Sequence, residues 1–245
     1  MSKKIIMACM ALVALAAFAL PASASAANDP QLTHPTGTLL NPTTGSCTGV
    51  GGTICITGTQ VGHSSLYSTS GTKELTCSTG TMTGYLLKNS GGTVEGEIHS
   101  ASFGGTGEQV AGEPHRECTG VGFFSANTTV TVKSVPWCLK STPLMAEDEF
   151  QVSGGKCGAA AAKITFTLLP TGFGECTYQA TQTSIKGTYT TDTTGDAILT
   201  VNKTNSNAGF TKTAGSFFCP SSGEIEMSFT LETDNAAKAE PLYIS

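Results

Sequence analysis

Two Glu-x-Glu pairs, Glu95/Glu97 and Glu224/Glu226, are the residues whose spacing comes nearest to a chemistry. In a strand each pair projects two carboxyls from one face. Two carboxylates across a cleft are what glycoside hydrolysis uses, one giving a proton while the other attacks or activates water. The same spacing is also how a strand wets its outer face, and with a single tryptophan, Trp137, the chain has little aromatic platform for a sugar. Because Pro136-Trp137-Cys138 sets that indole beside a cysteine, it reads as packing for a disulfide. Glu147-Asp148-Glu149 and Asp192/Asp196 offer oxygens to calcium, but each cluster falls short of the roughly six to eight that a hard cation takes. His34, His63, His99 and His115 lie in unlike polar contexts, and no Gly-x-Ser-x-Gly string presents a nucleophile. No catalytic residue, cofactor-binding residue or metal ligand is assigned on these grounds, and no cofactor is expected.

The cysteines carry a firmer message. Lys3 and Lys4, the apolar run from Ile5 to Leu20, and Pro21 followed by Ala22-Ser23-Ala24-Ser25-Ala26-Ala27 form the basic, greasy and small-residue succession of an export signal, with cleavage expected after Ala26. Cys9 leaves with it. Cys47, Cys55, Cys77, Cys118, Cys138, Cys157, Cys176 and Cys219 remain, an even set that reads as a disulfide framework in an oxidising compartment. No Cys-x-x-Cys pair favours zinc instead. Eight cysteines allow about 105 pairings, and pairing of sequence neighbours is the simplest, with Cys176–Cys219 the best supported because it ties a hairpin region to the segment before the last strand. The mature chain is expected to be secreted and extracellular, with no membrane span and no lipid-accepting cysteine. The 13 basic and 18 acidic residues of the full sequence, with Arg116 the sole arginine, make nucleic acid an unlikely partner on charge alone.

Short apolar alternations separated by Gly- and Ser-rich breaks run through the body, the pattern of many strands. From Glu224 to Glu232, Ile225, Met227, Phe229 and Leu231 share one face, and Glu224, Glu226, Ser228, Thr230 and Glu232 the other. Ile185–Thr191 and Ala197–Val201 flank Asp192-Thr193-Thr194-Gly195-Asp196, a hairpin loop with Gly195 in the left-handed position. Ile164–Leu168 and Cys176–Ala180 flank a second turn. Thr129 to Val135 alternates, hiding Val130, Val132 and Val135, and Val94, Gly96 and Ile98 mark a further strand. No mature segment sustains helical spacing over three turns. The fold expected is all-β, an antiparallel β-sandwich, one large or two small, linked by disulfides. Residues 1–26 are expected to be the signal peptide, 27–45 an extended N-terminal arm rich in proline, 46–234 the sandwich, either undivided or divided near 140–160, and 235–245 a C-terminal tail.

Gly174-Glu175-Cys176-Thr177-Tyr178-Gln179-Ala180-Thr181, Lys186-Gly187-Thr188-Tyr189-Thr190-Thr191-Asp192 and Gly195-Asp196-Ala197-Ile198-Leu199-Thr200-Val201, with Phe218-Cys219-Pro220-Ser221-Ser222-Gly223-Glu224-Ile225 and Pro241-Leu242-Tyr243-Ile244, resemble a family of uncharacterised secreted proteins of soil actinobacteria. That resemblance covers chiefly the second half and implies export and β structure, with no activity, ligand or catalytic residue to carry over. The function expected is a non-catalytic extracellular binding or structural module for an unknown extracellular ligand or surface component. The alternative is a secreted hydrolase acting on glycans, its acid pair drawn from Glu95, Glu97, Glu147, Asp148, Glu224 and Glu226.

Overall fold

The computed structural model describes residues 30–42, 54–104, 118–121, 127–146, 148–204, 207–233 and 240–244. The signal segment 1–26, Cys47, His115, Glu147 and residues 234–239 lie outside the described residues. Among the described residues there is no helix. After a short strand β1 (Leu32–Thr33), the described residues make eight passages up and down, seven of them in two segments. β2 (Ile54–Gln60) leads into β3 (Ser64–Ser68), and β4 (Lys73–Cys77) into β5 (Thr79–Ser90). β6 (Thr93–Gly104) precedes β7 (Thr119–Gly120), and β8 (Thr128–Lys133) precedes β9 (Trp137–Ser141). β10 (Glu149–Gly154) leads to β11 (Thr165–Pro170), β12 (Cys176–Ala180) to β13 (Ser184–Thr191), and β14 (Ala197–Val201) to β15 (Gly209–Gly215). β16 (Ser222–Thr233) makes the last passage unbroken, and β17 (Glu240–Pro241) and β18 (Tyr243–Ile244) follow.

Eight strands close into an antiparallel barrel in the order β2-β5-β6-β9-β10-β13-β14-β16, where β16 pairs with both β14 and β2. The other segments form an upper tier in the same circular order, β3-β4-β7 and β8-β11-β12-β15. On one side this tier is joined by the first half of β16, which pairs with β15 and β3. On the other side it is joined by the isolated bridge Cys118–Thr128. A closed barrel therefore stands where the sequence led us to expect a sandwich. The physical reason is that both architectures need the same in-out alternation. They differ in whether the first and last long strands pair, and that contact, with Thr230 Oγ1 donating to the Thr59 carbonyl at 3.2 Å, spans 171 residues. The proposed division near 140–160 falls between adjacent staves of one barrel, since Leu139 of β9 lies opposite Val152 of β10.

Alternation now acquires a direction. Leu86, Val94, Phe150, Tyr189, Leu199 and Phe229 are buried inside the barrel, whereas Thr81, Thr83, Lys88, Lys140, Thr188 and Thr190 on the barrel strands are exposed. That is the reverse of a membrane-spanning barrel, whose outer wall is apolar. No helix among the described residues is long and apolar enough to cross a membrane. At Gly187 an added Cβ would collide with the Phe150 ring and the Thr200 carbonyl, so glycine is what lets that ring fill the interior. Seven passages break between the tiers. Gly62 (φ +69°) turns the chain between β2 and β3, and Ser134 (φ +59°) with the cis Val135–Pro136 bond turns it between β8 and β9. Val135, expected inside, is 40% exposed for that reason, because the strand has already ended at Lys133.

The lower end carries a plug. Residues 30–42, read from sequence as part of an extended arm, bring Leu32 and Leu40 into the barrel mouth, while Leu242, from the stretch read as a tail, is buried beside them. β1 and β18 pair antiparallel, Leu32 with Ile244. Asn89, at the lower end of β5, fixes the plug: its side chain accepts from the Leu32 N–H (3.0 Å) and donates to the Leu32 and Leu40 carbonyls (both 2.7 Å). A buried amide satisfied only by backbone is specific glue, because removing it strands the groups it served.

Three disulfides link the staves: Cys77–Cys118, Cys138–Cys157 and Cys176–Cys219. Cys55 is also disulfide-bonded, and Cys47, its expected partner, lies outside the described residues. The first bridge ties β4 to the bridge residue that completes the upper tier, and such bonds fit an oxidising compartment. Titration of the denatured, unreduced protein with a thiol reagent should find no free thiol from Cys77, Cys118, Cys138, Cys157, Cys176 or Cys219. Asn89→Ala should cost about 3 kcal/mol of stability in urea denaturation, and amide exchange at Leu32 and Leu40 should accelerate more than in the barrel staves.

Candidate functional site

The sequence-derived candidates for chemistry lie apart and are occupied by structure. Glu95 and Glu97 alternate with the inward Val94, Gly96 and Ile98, and so stand on the outer wall of β6. Glu95 lies 3.4 Å from Lys140 Nζ, its cross-strand neighbour on β9. Glu97 lies opposite Cys138, and the loop bearing Cys157 folds over both. The buried Glu97 carboxylate accepts the Cys157 N–H (2.9 Å) and the Tyr85 hydroxyl (2.8 Å), with His99 Nε2 3.4 Å away. His99 in turn stacks on Tyr85, their centroids 4.4 Å apart. Burial first, and the hydrogen bond to Glu97 second, raise the Tyr85 phenol above its ordinary range. This acid anchors a disulfide flap.

Glu149 and Asp192 are also engaged. Glu149 Oε1 is 2.9 Å from Lys186 Nζ, and that hydrogen-bonded ammonium holds the Glu149 carboxyl below the usual carboxylate range. Asp192 Oδ1 accepts from Thr194 N–H (2.8 Å), Thr194 Oγ1 (2.7 Å) and Asp196 N–H (2.9 Å), which lowers its pKa and closes the hairpin loop around Gly195 (φ +93°). The Asp192/Asp196 loop is thus turn chemistry. Among the described residues no group of three or more His, Cys, Asp and Glu is placed to hold a metal. Glu224 and Glu226 face Tyr67 and Ser65 across the β16–β3 pair, half-buried.

What the residue motifs did not mark is a cavity of ≈ 110 Å³ at the level where the tiers meet. Its walls come from both sides of the strand breaks. Cys77 and Met82 flank one, Val132 and Trp137 another, and Val152 and Ile164 a third. Inward side chains cannot interdigitate closely where seven staves change direction together, and unfilled volume collects there. Apart from Ser64, Ser65 and Glu226, every lining residue is apolar. Phe166 packs edge-on against Phe210, centroids 4.8 Å apart, and Phe103 against Phe229 at 6.1 Å, so rigid rings line the space from both tiers. Trp137 belongs to this lining, whereas Cys138 points to the other face and bonds Cys157. The indole thus serves the cavity where the sequence had suggested packing against the bridge. Its N–H is buried with no hydrogen-bond partner.

A second void of ≈ 50 Å³ lies lower in the barrel, toward the plug, where Gly58, Gly84 and Gly96 contribute no side chains and Leu32, Leu86 and Leu231 share the wall with Thr83, Tyr85 and Glu97. At the opposite end of the molecule the loops before Cys176 and around Cys219 expose Phe173, Phe217 and Phe218, with Phe217 and Phe218 in ring contact at 3.8 Å. Comparison with known proteins finds no matching family, no similar curated protein and no similar solved structure.

The Glu149–Lys186 pair supplies a test of the electrostatics. A carboxyl whose folded pKa is depressed contributes stability above its unfolded value, and that contribution disappears as pH falls through the folded value. Lys186→Met should therefore move the Glu149 titration upward, read by carboxyl NMR, and should shrink the loss of stability on acidification.

Proposed function

We propose that this chain is a secreted, non-catalytic binding module whose barrel holds a small apolar ligand. The observation that carries the reading is the ≈ 110 Å³ cavity, whose lining is apolar but for Ser64, Ser65 and Glu226. Eight-stranded barrels are just wide enough either to be filled by their own side chains or to hold one small ligand. An apolar cavity of this order stays dry and gains dispersion contacts when an apolar molecule fills it. Export is supported by the basic, apolar and small-residue succession at residues 1–27 and by the disulfides. The glycan-hydrolase reading has no comparable support. The Glu95 and Glu97 carboxylates are bound to Lys140 and to the Cys157 flap.

Trp137 is the only tryptophan and lines the cavity, so it reports on occupancy directly. Titrating toluene should shift its emission and raise the melting temperature, with about 2.7 kcal/mol of added stability at a hundredfold excess over Kd. An unchanged emission and melting temperature at saturating toluene would sink the reading.

A further inference from the structure

The two voids are successive chambers on one axis. Along β16, Phe229 lines the upper void and Leu231 the lower; along β5, Met82 lines both and Leu86 the lower alone. Their shared wall is a ring of four side chains from four staves: Met82, Ile98, Leu139 and Leu199. Ile98 is β-branched and stiff and Leu139 and Leu199 are γ-branched, while Met82 is unbranched with a polarisable thioether and readily changes rotamer. Met82 sits opposite Gly58 in the β2–β5 pair, and a Cβ added at Gly58 would meet Met82 Cε at 3.4 Å. The constriction between the chambers is thus a flexible side chain facing a residue that has none.

From this we infer that the barrel binds an unbranched alkyl chain, threaded along the axis from the upper void into the lower one past Met82. The inference rests on the cavity reading above and adds the shape of the ligand. A compact ring fills only the upper void. A chain gains the lower void as well, where Leu86, Val94 and Leu231 supply apolar contacts for its end. Ser64, Ser65 and Glu226 line the upper void and Thr83, Tyr85 and Glu97 the lower, so each chamber has polar residues in an otherwise apolar or glycine wall.

Methyl NMR of the unaltered protein separates the possibilities. Toluene should perturb Ile164 and Leu168, which line the upper void, and leave Leu86 and Val94 unmoved. 1-Decanol should perturb all four. Affinity should rise about fourfold per methylene from 1-hexanol to 1-decanol, and Gly58→Val, which fills the lower void beside Met82, should abolish that rise. Decanol signals confined to Ile164 and Leu168, or an undiminished rise in Gly58→Val, would overturn the threaded chain. If toluene binds and decanol does not, the threaded chain falls and the cavity reading stands. If neither binds, both fall.

Discussion

The pairing of β16 with both β14 and β2 is the contact on which everything else in the molecule depends. An open sheet of eight twisted staves would leave two rows of unpaired amides and carbonyls, one at each edge, and would expose one apolar face. Joining the first long strand to the last removes both edges together and converts that face into an interior. β16 can do this for both tiers because it alone runs through the junction unbroken. Its first residues pair with β3 and β15, and its later ones with β2 and β14. The side-chain pattern has to hold over all 12 of its residues, and Gly223, Ile225, Met227, Phe229, Leu231 and Thr233 keep one face throughout.

Breaking the other seven staves has an energetic consequence. Interiors normally pack to the density of organic crystals, and a void the size of the upper one forfeits contacts on every wall. Here the void is bounded by rigid aromatic rings and by disulfide-linked strands, so the walls do not collapse to fill it. The chambers are a property of backbone geometry as much as of side-chain choice: a kink level above, three glycines below, and a plug held by one asparagine at the bottom.

The sequence disclosed the local half of this. The strand at Glu224–Glu232, the hairpin around Gly195 and the hairpin of β11 and β12 all lie where alternation and turn chemistry placed them, because those signals are contained within a few residues. The bonds Cys77–Cys118, Cys138–Cys157 and Cys176–Cys219 join sequence neighbours, as a meander brings consecutive staves together. Closure was not legible, since a sandwich and a barrel write the same alternation. Nor was the cavity, because no residue type marks a space. Glu97 drew attention as a candidate acid through its neighbour Glu95, yet its role is set by Cys157, a residue 60 positions away.

The position of the closing strand along the chain has a consequence for how the molecule comes into being. A fragment ending between Val201 and Ser222 has β2 and β14 but nothing to lie between them, so its greasy face stays open and its margins invite pairing with other chains. The native state cannot be assembled piecemeal from the amino terminus. The pairing that closes the barrel joins β2 to β16, a contact of long sequence separation that can form only once β16 is present.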